Sequence, residues 1–257
     1  MTIAALTTYR SEEHPNMLWL EVETEDGVTG LGETFYAAEA VEAYVHANLA
    51  PIVLGLSAID IEAVHHRTRP YIGFVAASTE LRARSALDIA LWDALGKVTG
   101  QPVSVLLGGR VRDQIPVYNT CAGTRYVRGP KLGTTENFGI RSGGKADDFE
   151  DLHGFLNDPV GLAGSLLDMG IDSMKIWPFD YAAEATQGQF ISPADLAKGL
   201  APFEAIRKAY GERMQLSAEL HGMWNLPESR IICQALDEIG MRWIEDPVLL
   251  TLSLIHI

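Results

Sequence analysis

Apolar and polar positions alternate in the early part of the chain, then shift to helical spacing. Met17-Leu-Trp-Leu-Glu-Val-Glu-Thr24 is rich in strand formers, Glu25-Asp26-Gly27 supplies a turn, and Val28 to Glu33 returns, which predicts a hairpin. Ala37–Leu49 and Ser57–His66 carry apolar residues at helical intervals. The clearest helix spans Ser78–Val98. Ser78 or Thr79 can cap it, Leu81, Leu87, Ala90, Leu91, Ala94 and Leu95 form one apolar face, and Gly100 and Pro102 stop it. Strands followed by helices without strict alternation predict an α+β domain over residues 1–112.

After Arg112 the rhythm changes. Ile115–Ala122 reads as a buried strand, and a polar, Gly-rich stretch from Arg125 to Asp151 reads as a loop. Pro159–Met169 is helical and ends at Gly170, and Ser173–Trp177 is a short strand. Ser192 as N-cap and Pro193 in the first turn open a helix that runs to Tyr210-Gly211. Met214–Glu219 is a strand, Pro227–Ile239 a helix closed by Gly240, and Met241–Glu245 the next strand. Strand, helix, strand, helix with short connections is the pattern of a parallel sheet, so residues 113–251 read as the N-terminal half of a (β/α) barrel. A full barrel takes about 250 residues. The stretch after Ile115 suffices for about four strands, and a last strand left as an open edge is an aggregation hazard. The chain as written is therefore expected to be inactive and poorly soluble.

The final residues, Leu252-Ser-Leu-Ile-His-Ile257, stand where a loop and helix belong. One reverse translation matches a transposon end used in sequencing libraries, so 252–257 is read as adapter read-through, with a genuine apolar strand as the alternative.

Composition narrows the class. A chain of 257 residues with 47% hydrophobic and 21% charged residues is globular and holds two domains or one large barrel. Twenty Lys and Arg against thirty-four Asp and Glu give −14, which disfavours a nucleic-acid partner and requires a local cation for any anionic substrate. Two cysteines, Cys121 and Cys233, make no disulfide framework. No signal-peptide pattern and no apolar run of membrane-spanning length are visible, so a cytoplasmic setting without membrane contact is expected.

Several motifs resolve to ordinary structure. Gly139–Lys145 has the letters of a phosphate loop, but no strand precedes it and Ala146 stands where Ser or Thr belongs, so it reads as a loop. Gly27, Gly30 and Gly32 read as hairpin glycines. No GxSxG elbow is present.

Polar residues at strand ends carry more. Glu219 closes one strand, His221 follows two residues on and is expected on the same side, and Glu245 closes the next strand. In a (β/α) barrel the C-terminal strand ends share one mouth, where two carboxylates on adjacent strands could share a hard divalent ion such as Mg²⁺. Each acid alone reads as a solvated loop charge; their common register favours the metal. Lys175, between apolar neighbours in the preceding strand, is expected to point into the mouth, with an exposed edge lysine as the alternative.

Together these residues resemble the mandelate racemase and muconate-lactonizing branch of the enolase superfamily. Asp26-Gly27-Val-Thr-Gly-Leu-Gly32-Glu33 is similar to that family's DGxxGxGE turn. Ser85–Asp93, Gly96-Lys97, Gln101-Pro102 and Leu106–Gly109 resemble its most recognisable run, and Trp243–Pro247 completes it. The resemblance implies an α+β capping domain, a modified (β/α)7β barrel of which this chain holds part, bound Mg²⁺, and a homo-oligomeric parent. It also implies abstraction of the proton α to a carboxylate, giving an enolate that the metal stabilises. By position, Glu219 and Glu245 resemble the first two metal ligands; the third, expected one strand later, is absent here. Lys175 matches the first lysine of the family's KxK pair but Trp177 replaces the second, which argues against paired-lysine racemase chemistry. His221 resembles the acid histidine of the sugar-acid dehydratases, suited to protonating a departing β-hydroxide. The His–Asp base of those enzymes lies on later strands that this chain lacks. Lys175 could help bind an anion, and Trp177 is a further candidate contact. His14 and Tyr36 lie on capping-domain loops that could close over substrate, or are plain surface residues. The implied function is a Mg²⁺-dependent sugar-acid dehydratase, with a racemase or epimerase of a related hydroxy-carboxylate, or an inert fragment, as alternatives.

Overall fold

Strand formers at the N-terminus pair before any helix appears. In the computed structural model, which describes residues 1–70, 78–123 and 150–249, the chain divides into two units, Met1–Gln114 and a second beginning at Ile115. In the first, β1 (Ile3–Tyr9), β2 (Met17–Thr24) and β3 (Thr29–Phe35) form an antiparallel meander in the order β1-β2-β3. The β2–β3 hairpin matches the expected one, turning at Gly27 with φ +77°. The expectation omits β1, whose register shift between Ile3 and Ala5 breaks the period-two pattern that marks a strand.

Helices follow. α1 (Ala38–Tyr44) runs through a π-helical turn at Val45–Leu49 into α2 (Ala50–Val53), then come α3 (Ile61–Thr68), α4 (Thr79–Thr99) and α5 (Val103–Leu106). The core joins Leu18, Leu20 and Val22 of β2 to Val41, Val45 and Leu49 and to Ala83, Ala86, Leu87, Ala90 and Leu91 of α4. The predicted α4 face needs one correction: Leu81 is 51% exposed, and the alanines Ala83 and Ala86 take its place inside. Ser78 also makes no side-chain cap. Gly30 and Gly32 are strand residues rather than turn residues. They let β3 lie flush against α4, where a Cβ on Gly32 would run into the Ala86 carbonyl oxygen and one on Gly30 into that of Ala90.

The second unit supplies α6 (Asp151–Asn157), α7 (Pro159–Asp168), β4 (Ser173–Ile176), α8 (Asp180–Thr186), α9 (Pro193–Tyr210), β5 (Gln215–Glu219), α10 (Leu226–Ile239) and β6 (Ile244–Glu245). β4, β5 and β6 are parallel neighbours in that order. Side-chain oxygens cap three of the helices: Asp158 accepts from Gly161 N–H, Ser192 from Asp195 N–H and Asn225 from Glu228 N–H, each with Pro in the first turn. Met174, Ile176, Leu216 and Ala218 belong to one core with Leu166, Phe203, Ile206, Ile232 and Leu236 of the flanking helices. Residues of the opposite strand parity, Lys175, Ser217 and Glu219, are buried polar groups.

The buried strand expected at Ile115–Ala122 is reduced to a single parallel bridge, Asn119 to Met174. Ile115 is 77% exposed, and Val117 and Tyr118 are exposed too. Pro116 has no N–H for a ladder, and the Asn119 side chain turns back to accept from Cys121 N–H at 2.6 Å, ending the extended run. Helix α6 lies at the end of the stretch expected to be loop; the rest of that stretch, the Gly139–Lys145 motif and residues 252–257 lie outside the described residues.

Cys121 is fully buried, and burial first, then Asp151, raise its thiol pKa well above normal. It is therefore expected to resist a thiol reagent in the folded protein and to react only on unfolding, while partly buried Cys233 reacts slowly. Thiol titration with and without denaturant checks this.

Candidate functional site

The site grows from the C-terminal ends of β4, β5 and β6. Register alone aligns it: Lys175 lies beside Ser217, and Glu219 beside Glu245, as partners in neighbouring parallel strands. The Lys175 ammonium bridges both carboxylates, donating to Glu219 Oε2 at 2.8 Å and to Glu245 Oε2 at 2.6 Å. Lys175 is 6% exposed and Glu219 5%, whereas the Glu245 side chain is 38% exposed, so the cluster is buried at its base and open at one edge. Trp243 Nε1 donates to the same Glu245 oxygen at 3.3 Å, and the Tyr118 ring lies 5.7 Å below the ammonium, edge-on to Trp243. Burial acts against the charged lysine, but its bonds to Glu219 and Glu245 outweigh that and raise its pKa to about 12. Burial acts against the Glu245 carboxylate as well, yet Lys175 and Trp243 hold its pKa below the usual range.

His221 reaches this cluster by a route the strand pattern does not describe. β5 ends at Glu219, Leu220 turns into the core, and His221 takes a left-handed conformation at φ +50°, followed by Gly222 at φ +61°. The turn, not the pleat, places His221 beside Glu219, and its backbone N–H donates to Glu219 Oε1 at 3.0 Å. Its ring stands edge-on to Trp177 with centroids 5.2 Å apart, and its Nδ1 lies 2.9 Å from Asp180 Oδ2. Burial lowers the histidine pKa, and the Asp180 bond and charge more than reverse this, so it is raised. Asp180 is completely buried; burial raises its carboxyl pKa and His221 offsets part of that.

Trp177 is 2% exposed, packs against Phe155 and donates from Nε1 to the Thr120 carbonyl. It stands against the His221 ring as part of the core. His14 and Tyr36 belong to the first unit, both partly buried. Tyr36 sits at the β3–α1 junction with φ +67°, under the Arg82 guanidinium, which also donates to the Phe35 carbonyl.

Asp180 is the residue that sequence reasoning missed. It follows β4 by four residues, beyond the strand-closing position that Glu219 and Glu245 hold, so the positional rule that singled those out passes it by.

Two carboxylate oxygens that already share one ammonium nitrogen have the hardness and the convergence that a divalent cation requires of two of its ligands. No cluster of three or more His, Cys, Asp or Glu side chains suited to a metal occurs among the described residues. No helix among them is long and apolar enough to cross a membrane.

Comparison with known proteins places this geometry. Residues 3–108 match the family described as mandelate racemase / muconate lactonizing enzyme, N-terminal domain, and residues 160–254 match enolase C-terminal domain-like. An enolase of the mandelate racemase subgroup from Agrobacterium tumefaciens superposes with a TM-score of 0.80 at 42% identity, covering 96% of this chain and 58% of that one. The D-galactonate dehydratase of Ralstonia pickettii is 31% identical over 255 residues, 97% of this chain and 56% of that protein. That of Variovorax paradoxus is 29% identical over 254 residues, with the same shares. The chain thus spans about half the length of the curated relatives it matches. With both domain signatures present in order, and an N-terminal capping domain followed by a partial barrel, the chain belongs to the mandelate racemase and muconate lactonizing enzyme branch of the enolase superfamily.

Proposed function

We propose that this site serves a Mg²⁺-dependent dehydratase of a sugar acid. One observation carries the reading: Glu219 and Glu245, paired in register on adjacent parallel strands, direct their Oε2 atoms to one cationic centre, with His221 beside them. The relatives named D-galactonate dehydratase support the substrate class. Glu219 and Glu245 would hold the metal, which when bound supplies positive charge for the carboxylate oxygens of the substrate.

The chain's own residues cover the binding of the anion and the departure of the β-hydroxide, while the α-proton passes to a base outside β4–β6. With the metal on Glu219 and Glu245, the Lys175 ammonium would be released from them to meet an anionic substrate in a protein of net charge −14. His221, whose pKa the Asp180 bond and charge raise against the effect of burial, gives its proton to the β-hydroxyl as the C–O bond breaks. Overall the α-proton and β-hydroxide leave as water, and the enol tautomerises to a 2-keto-3-deoxy acid. The Trp177 and Phe155 rings back the histidine with apolar surface that keeps water from competing for that proton.

The test uses a sugar-acid library with semicarbazide detection of the 2-keto product, run on this chain and on the protein encoded by the complete locus. Product formation on at least one sugar acid is expected from the complete protein and none from this chain; silence of the complete protein across the library counts against dehydration. Solvent deuterium entering the α-carbon without water loss would favour an epimerase. Glu219→Gln and Glu245→Gln are each expected to weaken Mn²⁺ binding, read by electron paramagnetic resonance, at least about tenfold. Unchanged binding would remove those carboxylates from the metal site.

A further inference from the structure

Asp180 is a buried carboxylate beside the site that the metal pair does not use. It is the first residue of α8, and an acid there ordinarily sits in water, favoured by the helix dipole, or bonds a free backbone N–H. Asp180 does neither. Its exposure is 0%, and among the described residues Oδ1 is buried without a hydrogen-bond partner. A buried, half-satisfied carboxylate is costly, and such an exception calls for a reason. Among the described residues Asp180 makes one side-chain bond, between its Oδ2 and His221 Nδ1, 2.9 Å apart.

The other contacts of His221 also restrict its ring. Its backbone is held in the left-handed region, its N–H is tied to Glu219 Oε1, and the Trp177 ring stands edge-on to it. A half-turn about χ2 would replace Nδ1 by a carbon and forfeit the Asp180 bond. Which ring nitrogen of a histidine carries the proton is set by the bond the other makes.

We propose that Asp180 is a positioning residue for His221: it fixes Nδ1 as the protonated, inward nitrogen, so that proton exchange with a bound substrate runs through Nε2. The inference rests on the dehydratase reading for its kinetic consequence but not for its structural one.

The experiment has two arms on the protein encoded by the complete locus, with Asp180→Asn preserving shape and Asp180→Ala removing both oxygens. In the first arm, ¹⁵N-histidine spectra, with the His221 signal identified by its loss in His221→Asn, are expected to show a slowly exchanging Nδ1–H in the wild type. That proton is expected to exchange fast, or to move to Nε2, in the variants. In the second arm, Asp180→Asn is expected to lower the dehydration kcat about 100-fold with KM little changed, the share of a misplaced general acid. A slowly exchanging Nδ1–H retained in either folded variant overturns the proposal. So does an undiminished kcat in Asp180→Asn. Absence of dehydration in the wild type defeats the functional reading instead, and the spectra then decide the role of Asp180 alone.

Discussion

Lys175→Met is expected to lower the melting temperature of the second unit by about 10 °C, the equivalent of roughly 3 kcal/mol in a domain of this size. The wild-type ammonium satisfies two carboxylate oxygens at once, on the buried polar face of β4 and β5 opposite the core of Met174, Ile176, Leu216 and Ala218. Methionine fills similar volume but leaves Glu219, 5% exposed, facing Glu245 across a gap with no cation. Breaking a buried ion pair by removing one partner is costly because the remaining charge is neither solvated nor matched. The double variant Lys175→Met/Glu219→Gln recovers part of the loss, since the unmatched charge goes with the lysine. Excess Mg²⁺ raises the melting temperature of Lys175→Met more than that of the wild type, because the ion restores the missing positive charge at the same oxygens. Calorimetric scans with and without metal check all three results. A Lys175→Met protein as stable as the wild type would show that the three side chains are not mutually dependent.

The parts of this site that the sequence reveals are those set by strand register. Glu219 and Glu245 close strands one βα unit apart, and parallel pairing brings such residues together wherever the rest of the barrel goes. Lys175 is readable for the same reason, as the charged residue of inward parity in a four-residue buried strand. What pattern reasoning misses depends on backbone excursions that no periodicity encodes. His221 owes its place to a positive φ, and Asp180 to the burial of a helix's first turn, whereas loop acids look alike in sequence. At the fold level, the β1 bulge hides a true strand, while Pro116 and the Asn119 turn spoil a segment whose composition reads as one. Gly30 and Gly32 are legible as hairpin glycines, but their close approach to α4 is not, because that partner surface lies over fifty residues away.

That pair gives the clearest stability test of the first unit. Gly32→Ala is expected to cost about 3 kcal/mol and lower the unit's melting temperature by more than about 10 °C. A methyl group on Gly32 would overlap the Ala86 carbonyl oxygen, with the Ala86 carbonyl carbon at 2.9 Å and the Ala90 nitrogen at 3.0 Å. All three are backbone atoms in the middle of a 21-residue helix, so no side-chain rotation relieves the contact. α4 must lift from β3, and the joint burial of Leu20, Val22, Leu87 and Leu91 loosens with it. Gly27 provides the contrast. It too is a glycine of the hairpin, but a Cβ there meets nothing within 4 Å, and only its φ of +77° is demanding. Gly27→Asn is therefore expected to cost well under about 1 kcal/mol, since asparagine tolerates left-handed turn geometry. Thermal melts of both variants distinguish close packing from backbone conformation as the reason for each glycine. Equal stability of the two would mean that α4 does not press on β3 at Gly32.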